Sequence, residues 1–334
     1  MKKIMLFLII MLMVCGCNNQ SLNSKGEVNI LNWSSYIPQS VIDDFEKETG
    51  IKVNYGTYSS NEELLAKISS SKPGTYDVIF PSDYMVELMI KKDMLMPIDI
   101  SQIPNYYNIN RLFLNQKFDQ YNRYSLPFLA ATTVIAVNRD NIYGQIKGYN
   151  DLFKEEYKNN IVLLDDQRIV IGMGLQASGY DMNETNKNRL NKGKEWLLKL
   201  NQNVKAFDSD SPKTFLITGE VDIGVMWNAE AIIAKEYNPN IEIIYPKEGF
   251  AISLDNYTLV KGAKNIKNGY KFINYLLRSD VNKKITDEYP YINTTYANMN
   301  MDYEELKMVL NKSSFVENIG SSIADYDKIW AEIK

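Results

Sequence analysis

Aromatic rings and carboxylates recur together along this chain, each time beside a short apolar run. Trp33, Ser34 and Tyr36 lie in Asn32-Trp33-Ser34-Ser35-Tyr36, at the end of a strand-like segment, and Ser82 and Tyr84 stand in the corner Phe80-Pro81-Ser82-Asp83-Tyr84. Asp165-Asp166 closes the run 161–164, Trp227 and Glu230 follow 221–226, and Asp255 precedes 256–260. A carboxylate gives charge-assisted hydrogen bonds to an ammonium group, and an aromatic face attracts a cation through its quadrupole. Gathered at one place, Trp33, Tyr36, Tyr84 and Trp227 with Asp166, Glu230 and Asp255 make a cage for an organic cation. Taken singly, each also reads as a buried ring, a helix cap or a surface acid.

The set contains no nucleophile with a neighbouring base. The chain has no histidine, which removes imidazole acid/base chemistry, the Ser-His-Asp and Cys-His arrangements and imidazole metal sites. Its only cysteines, Cys15 and Cys17, lie near the amino terminus, so neither a disulfide nor a thiolate metal cluster is expected in the body of the chain. No cofactor and no metal is expected. The competing enzyme reading is a secreted glycoside hydrolase with Asp166 and Glu230 as its two carboxyls. Asp165 and Asp166 cannot serve together, because neighbours on a strand point to opposite faces.

The elements that must position these residues alternate between strand and helix. Segment 28–33 reads as a strand, 39–49 as a helix closed by Gly50, and 51–55 as a second strand, which makes a βαβ unit. Helix 61–70, strand 76–80 and a helix capped by Ser82 follow. Further strands are expected at 133–137, 161–164, 221–226, 241–245 and 256–260, with helices at 187–200, 268–278 and 280–288. This alternation over 334 residues implies an α/β protein of two lobes, each a mostly parallel sheet flanked by helices. Open sheets of this kind take ligands beyond the carboxyl ends of their strands, where the aromatic and acidic residues fall.

The first residues read as an export signal. Lys2 and Lys3 precede an unbroken apolar run, 4–14, which as a helix reaches about 16 Å, roughly half a bilayer core. A permanent transmembrane helix is therefore not expected. Gly16 before Cys17 resembles a bacterial lipobox, with residues 1–16 as signal peptide, Cys17 as the lipidated residue and 17–26 as a polar tether. Loss of Lys2 and Lys3 makes the mature chain two charges more acidic than the full sequence, whose net charge is −4. Nucleic acid is a poor partner for such a chain.

Beyond single residues, a resemblance runs through nearly the whole mature sequence. Asn32-Trp33-Ser34-Ser35-Tyr36-Ile37-Pro38, Phe45-Glu46-Lys47-Glu48-Thr49-Gly50-Ile51-Lys52-Val53, Tyr76-Asp77-Val78-Ile79-Phe80-Pro81-Ser82, Trp227-Asn228, Pro246-Lys247-Glu248-Gly249 and Phe272-Ile273-Asn274-Tyr275-Leu276-Leu277-Arg278 resemble, in order and spacing, the spermidine/putrescine-binding proteins of bacterial ABC importers. The resemblance implies a two-lobed, type II periplasmic-binding-protein fold. Lobe one would be 27–131 plus 257–297 and lobe two 132–256 plus 298–334, with a two-strand hinge near 131–135 and 253–258. It implies a monomeric, non-enzymatic protein outside the cell membrane, lipid-anchored, that captures a polyamine and hands it to membrane permease subunits. A ligand-sensing protein for another organic cation uses the same cleft.

Carried over position by position, the resemblance places Trp33, Ser34, Tyr36, Ser82, Tyr84, Asp166, Trp227, Asp255 and Tyr289 around the ligand, with Asp255 holding an amine. Some positions depart. Ile169 and Ser35 stand where relatives carry acids, Ser253 where they carry tryptophan, and a family glutamine near Val316 is absent. Glu230 matches an acid of putrescine-preferring relatives. These changes imply that putrescine competes with or exceeds spermidine.

Overall fold

The computed structural model describes residues 25–296 and 301–334, so the leader, Cys17 and the tether through residue 24 lie outside the described residues. Strand β1 (Glu27–Trp33) carries Val28, Ile30 and Leu31 into the interior and has parallel neighbours on both sides, β2 (Lys52–Tyr58) and β3 (Val78–Ile79). Between β1 and β2 runs α1 (Gln39–Thr49), which buries Val41, Ile42 and Phe45 and stops at Gly50, whose φ of 70° suits a residue without a side chain. Helix α2 (Asn61–Ser70) starts at Ser60, whose hydroxyl accepts from the Glu63 amide. After β3 come α3 (Asp83–Lys91) and the short β4 (Leu95–Met96).

Two long strands join this lobe to the other. β5 (Ser125–Asn138) is buried along its entire length, and β10 (Phe250–Val260) runs antiparallel to it from Thr258↔Ser125 to Ile252↔Thr132. Past Thr132, β5 leaves β10 and pairs with β8 (Ile223–Trp227) and β9 (Ile241–Ile244), while the far end of β10 pairs with β3 and β4. The segments 131–135 and 253–258, expected as a hinge, lie within these crossing strands. In lobe two, β6 (Ile161–Leu163) stands parallel between β7 (Val204–Phe207) and β8. Helices α4 (Gln167–Ala177), α5 (Lys187–Leu200), α6 (Pro212–Ile217) and α7 (Asn228–Tyr237) surround this sheet.

The chain then returns to lobe one through α8 (Ile266–Leu276), α9 (Ser279–Glu288) and β11 (Ile292–Asn293), which pairs with β5. Helix α10 (Tyr303–Lys312) leads into β12 (Ser313–Phe315) on the edge of β10, and α11 (Ile323–Ile333) packs on α4 and α5. Each lobe has its own core: Val28, Phe45, Val78, Phe128 and Phe272 in the first, Ile135, Leu163, Ile171, Leu197 and Tyr326 in the second. Smaller clusters straddle the crossing, one built on Val134, Leu164, Ile169, Ala251 and Val316 and one on Phe113, Ala130, Phe250 and Leu254.

The strands expected at 133–137 and 256–260 are the ends of these longer strands. Their other halves escaped the sequence reading because a strand buried on both faces has no polar alternation to betray it. Pro127 lies within β5, where a proline has no N–H to give to the ladder. It is accommodated where the pairing with β10 slips, Asp255 facing Leu129 and Asn256 facing Pro127, so Phe128 is a one-residue bulge.

Candidate functional site

The loop after β1 delivers the first aromatic residues. Trp33 ends the strand, stacks on Tyr58 with ring centroids 4.6 Å apart, and donates its indole N–H to the Phe80 carbonyl at 3.0 Å. Ser35 takes a left-handed φ of 55°, which turns the chain so that Tyr36 points inward against Tyr291, with ring centroids 4.6 Å apart. Ser34 is exposed in this loop, and its amide donates to the Tyr58 carbonyl at 3.3 Å.

Asp255 is where these side chains converge. It is 4% exposed, and it accepts from the Tyr36 hydroxyl at 2.7 Å and the Ser82 hydroxyl at 2.6 Å. Trp33 also adjoins it, so every group that favours its charge is a neutral donor. Burial dominates all the same and raises its pKa from 3.8 to about 6. The bulge at Phe128 falls beside this residue, and an isolated bridge ties Ser82 to it through the backbone.

Ser82 corrects one expectation. It occupies the N-cap position of α3, but its hydroxyl makes no capping bond because Asp255 has claimed it. Asp83, next in the chain, is a second buried carboxyl, 1% exposed, accepting from the Leu254 amide at 3.1 Å and the Tyr84 amide at 2.7 Å. Burial, with a smaller push from Asp255, raises its pKa to about 8. Burial raises Asp83 further than Asp255, so of the two carboxyls Asp255 is the one that more readily carries a negative charge.

The acids of lobe two are differently employed. Asp166 caps α4, its Oδ1 accepting from the amides of Arg168 at 2.8 Å and Ile169 at 3.1 Å. Its pKa is raised, chiefly by burial, with Glu62 adding to the rise and the Arg168 guanidinium opposing it. Asp165 lies past the end of β6, so strand alternation does not govern it, and it pairs with Lys334 at 2.6 Å. Glu230, in the first turn of α7, has both carboxylate oxygens occupied by the Lys213 ammonium, at 2.9 and 2.7 Å. The expectation of an open acid at this position is corrected accordingly. Ile169 lies in the apolar cluster at the crossing and is 4% exposed, rather than lining a wet cleft.

Tyr84 bridges the two sides. It packs on the crossing cluster together with Trp227, and its hydroxyl donates to Glu62 at 3.0 Å. Trp227 is half-buried at the end of β8, opposite Thr133. Tyr289 closes α9 and is half-buried, with Ser35 and Glu288 beside its hydroxyl. The structure thus gathers Trp33, Tyr36, Ser82 and Asp255 by direct contact, sets Tyr84 and Asp166 on one side of them, and sets Tyr289, Tyr291 and Glu230 on the other. Sequence reasoning missed Glu62, Tyr291 and Lys213, and offered Asp83 only as a substitute acid for a distal amine. The three missed residues are ordinary helix or turn residues in the sequence and gave no signal there.

The site offers a desolvated carboxylate, aromatic walls and fixed donors, a set of groups suited to holding an organic cation. The sequence matches the family described as bacterial extracellular solute-binding protein over residues 40–303. The chain belongs to this family. The spermidine/putrescine-binding periplasmic protein of Salmonella typhimurium is 37% identical over 314 residues, which cover 91% of this chain and 90% of that one. Among solved structures, the spermidine/putrescine ABC transporter substrate-binding protein PotD of Streptococcus pneumoniae superposes with a TM-score of 0.82 at 31% identity, covering 92% of this chain and 98% of its own. The Tp0655 (TpPotD) lipoprotein of Treponema pallidum reaches 0.83 at 25% identity, covering 92% and 99%. The two-lobed fold with its crossing strands matches these structures over nearly their whole length.

Proposed function

We propose that this solute-binding protein captures a polyamine outside the cell membrane and delivers it to the permease of an ABC importer. The observation that carries the reading is Asp255: a buried carboxylate that keeps an ionisable charge among neutral donors and aromatic rings, as a site for a desolvated ammonium requires. The names of the Salmonella and Streptococcus relatives support the ligand class. Glu230 and Asp166 have Lys213 and Arg168 beside them, whereas among the described residues neither Asp255 nor Glu62, which meets the Tyr84 hydroxyl, makes an ion pair, and this favours a diamine such as putrescine over a triamine. The ligand contacts are Trp33, Tyr36, Ser82, Tyr84, Asp166, Trp227, Asp255 and Tyr289, with lobe one as 27–131 plus 257–297 closing on lobe two as 132–256 plus 298–334. Export with lipid on Cys17 completes the proposal, a reading that the Treponema relative's description as a lipoprotein supports.

Thermal melting of the purified protein with putrescine, cadaverine, spermidine, spermine and unrelated solutes tests the ligand class. A ligand at 100 times its Kd stabilises the folded state by about 2.7 kcal/mol, a shift of a few degrees for a chain of this size. A panel in which no polyamine moves the melting point, at concentrations where an unrelated solute does, overturns the reading.

A further inference from the structure

Lys213 is placed by its partner rather than by its own helix. As the second residue of α6 it gains nothing from the helix dipole, which favours acids at that end. Its ammonium instead reaches α7 and donates to both oxygens of Glu230, and only 24% and 15% of the two side chains remain exposed. This pair borders the cleft. Asn228, at the start of the same turn as Glu230, accepts from the Thr132 amide on β5 at 2.9 Å, and two residues back along β5, Ala130 pairs with Ile292 of β11. Tyr291 immediately precedes that strand and stacks on Tyr36, whose hydroxyl holds Asp255. The Glu230 charge is also felt at the Tyr291 phenol, whose pKa is raised mainly by burial.

We infer that Lys213 is a specificity-determining residue: its ammonium is a resident cation that fills the amine position at Glu230, so an incoming ligand must place its own ammonium groups elsewhere. The inference rests on the polyamine reading above. A tethered ammonium competes without loss of translational freedom, so it holds Glu230 against a free ligand of the same chemistry. A diamine loses little by this, because Asp255 and the Glu62 side of the cleft remain. A triamine is left with one cationic nitrogen lacking a partner, and selectivity against it arises from that deficit.

Calorimetric titration of putrescine and spermidine into the parent and three variants tests this, with each variant's melting curve recorded. Lys213→Met vacates Glu230 and is expected to raise spermidine affinity about tenfold relative to putrescine. Lys213→Arg keeps a resident cation and is expected to keep the parental ratio. The double variant Lys213→Met, Glu230→Gln removes both charges and is expected to bind both polyamines within about threefold of the parent. A Lys213→Met protein with an unmoved ratio overturns the inference, and so does a double variant that loses putrescine tenfold or more, which would make Glu230 a direct ligand contact. In both of those results the parent still binds polyamine and the proposed function stands. A parent that binds neither polyamine removes both.

Discussion

The two walls of the cleft use the same side chains to different ends. Around β10, Asp255 is buried among a tyrosine, a serine and a tryptophan, with no cation partner among the described residues, and it bears the cost of that burial as a raised pKa. In lobe two, Asp166 spends one oxygen capping α4 and Glu230 spends both on Lys213. A carboxylate satisfied by its own chain is structure. A carboxylate desolvated and left without a counter-charge is an unmet demand, and a cationic ligand is what meets it.

Asp255→Asn breaks the contrast most directly. The amide keeps the shape and can still hydrogen-bond Tyr36 and Ser82, but the charge is gone, and polyamine affinity is expected to fall by about 2–5 kcal/mol, thirtyfold or far more. The unliganded variant is expected to melt at or above the parent at neutral pH, because a buried charge has been removed. Calorimetry and melting curves read the two effects, and a variant that binds like the parent would move the ligand's amine away from Asp255. Trp227→Ala follows in size. Loss of its apolar face and its attraction for a cation is expected to cost about 2 kcal/mol, near thirtyfold in Kd, and an unchanged Kd would make it a packing residue of the crossing cluster.

Acidity sharpens the comparison without a mutation. Polyamine needs Asp255 ionised, so affinity is expected to hold above about pH 6 and fall below it, approaching tenfold per pH unit. The sign for folding is opposite. A carboxyl whose folded pKa of about 6 exceeds its unfolded value of 3.8 contributes stability that is complete below about pH 4 and is lost as pH rises through about 6. The melting advantage of Asp255→Asn over the parent is therefore expected at pH 7 and to vanish near pH 4, and a gap independent of pH would show that it has another origin. Asp166→Asn is the smallest of the four. Asparagine caps a helix about as well as aspartate, so α4 is kept and only the charge is lost, with an expected threefold to tenfold loss of affinity. A loss equal to that of Asp255→Asn would erase the distinction between the walls.

Much of this arrangement was legible in the sequence. Helices 39–49, 61–70 and 187–200 begin and end where periodicity and caps place them, because each has a single buried face. Trp33, Tyr36, Ser82 and Asp255 were singled out by their positions beside apolar runs and by family resemblance, and the fold brings them into contact. What stayed hidden depends on partners far apart in the chain. Ser82 looks like a cap until Asp255, 173 residues on, takes its hydroxyl. Glu230 looks like an open acid until Lys213 reaches it from another helix. Helices α4 and α7 also escaped, since the buried face of α4 takes in nearly the whole helix and leaves no polar stripe to reveal the period.

The extra residue at Phe128 constrains what can be exchanged in this protein. Side chains alternate along a strand with period two, so a single inserted residue reverses the phase of everything beyond it. β5 runs through both lobes, and its bulge lies in the part that pairs with β10, before the strand passes to β8: Leu126 pairs on one side of the slip and Ala130 on the other. A chimera that takes β5 from this chain and β10 from a relative, or the reverse, must therefore preserve residue count across 127–129, whatever its similarity elsewhere. Deleting Phe128 alone would bring the two halves of the strand into simple register and reverse the face that one half of β5 presents relative to the other.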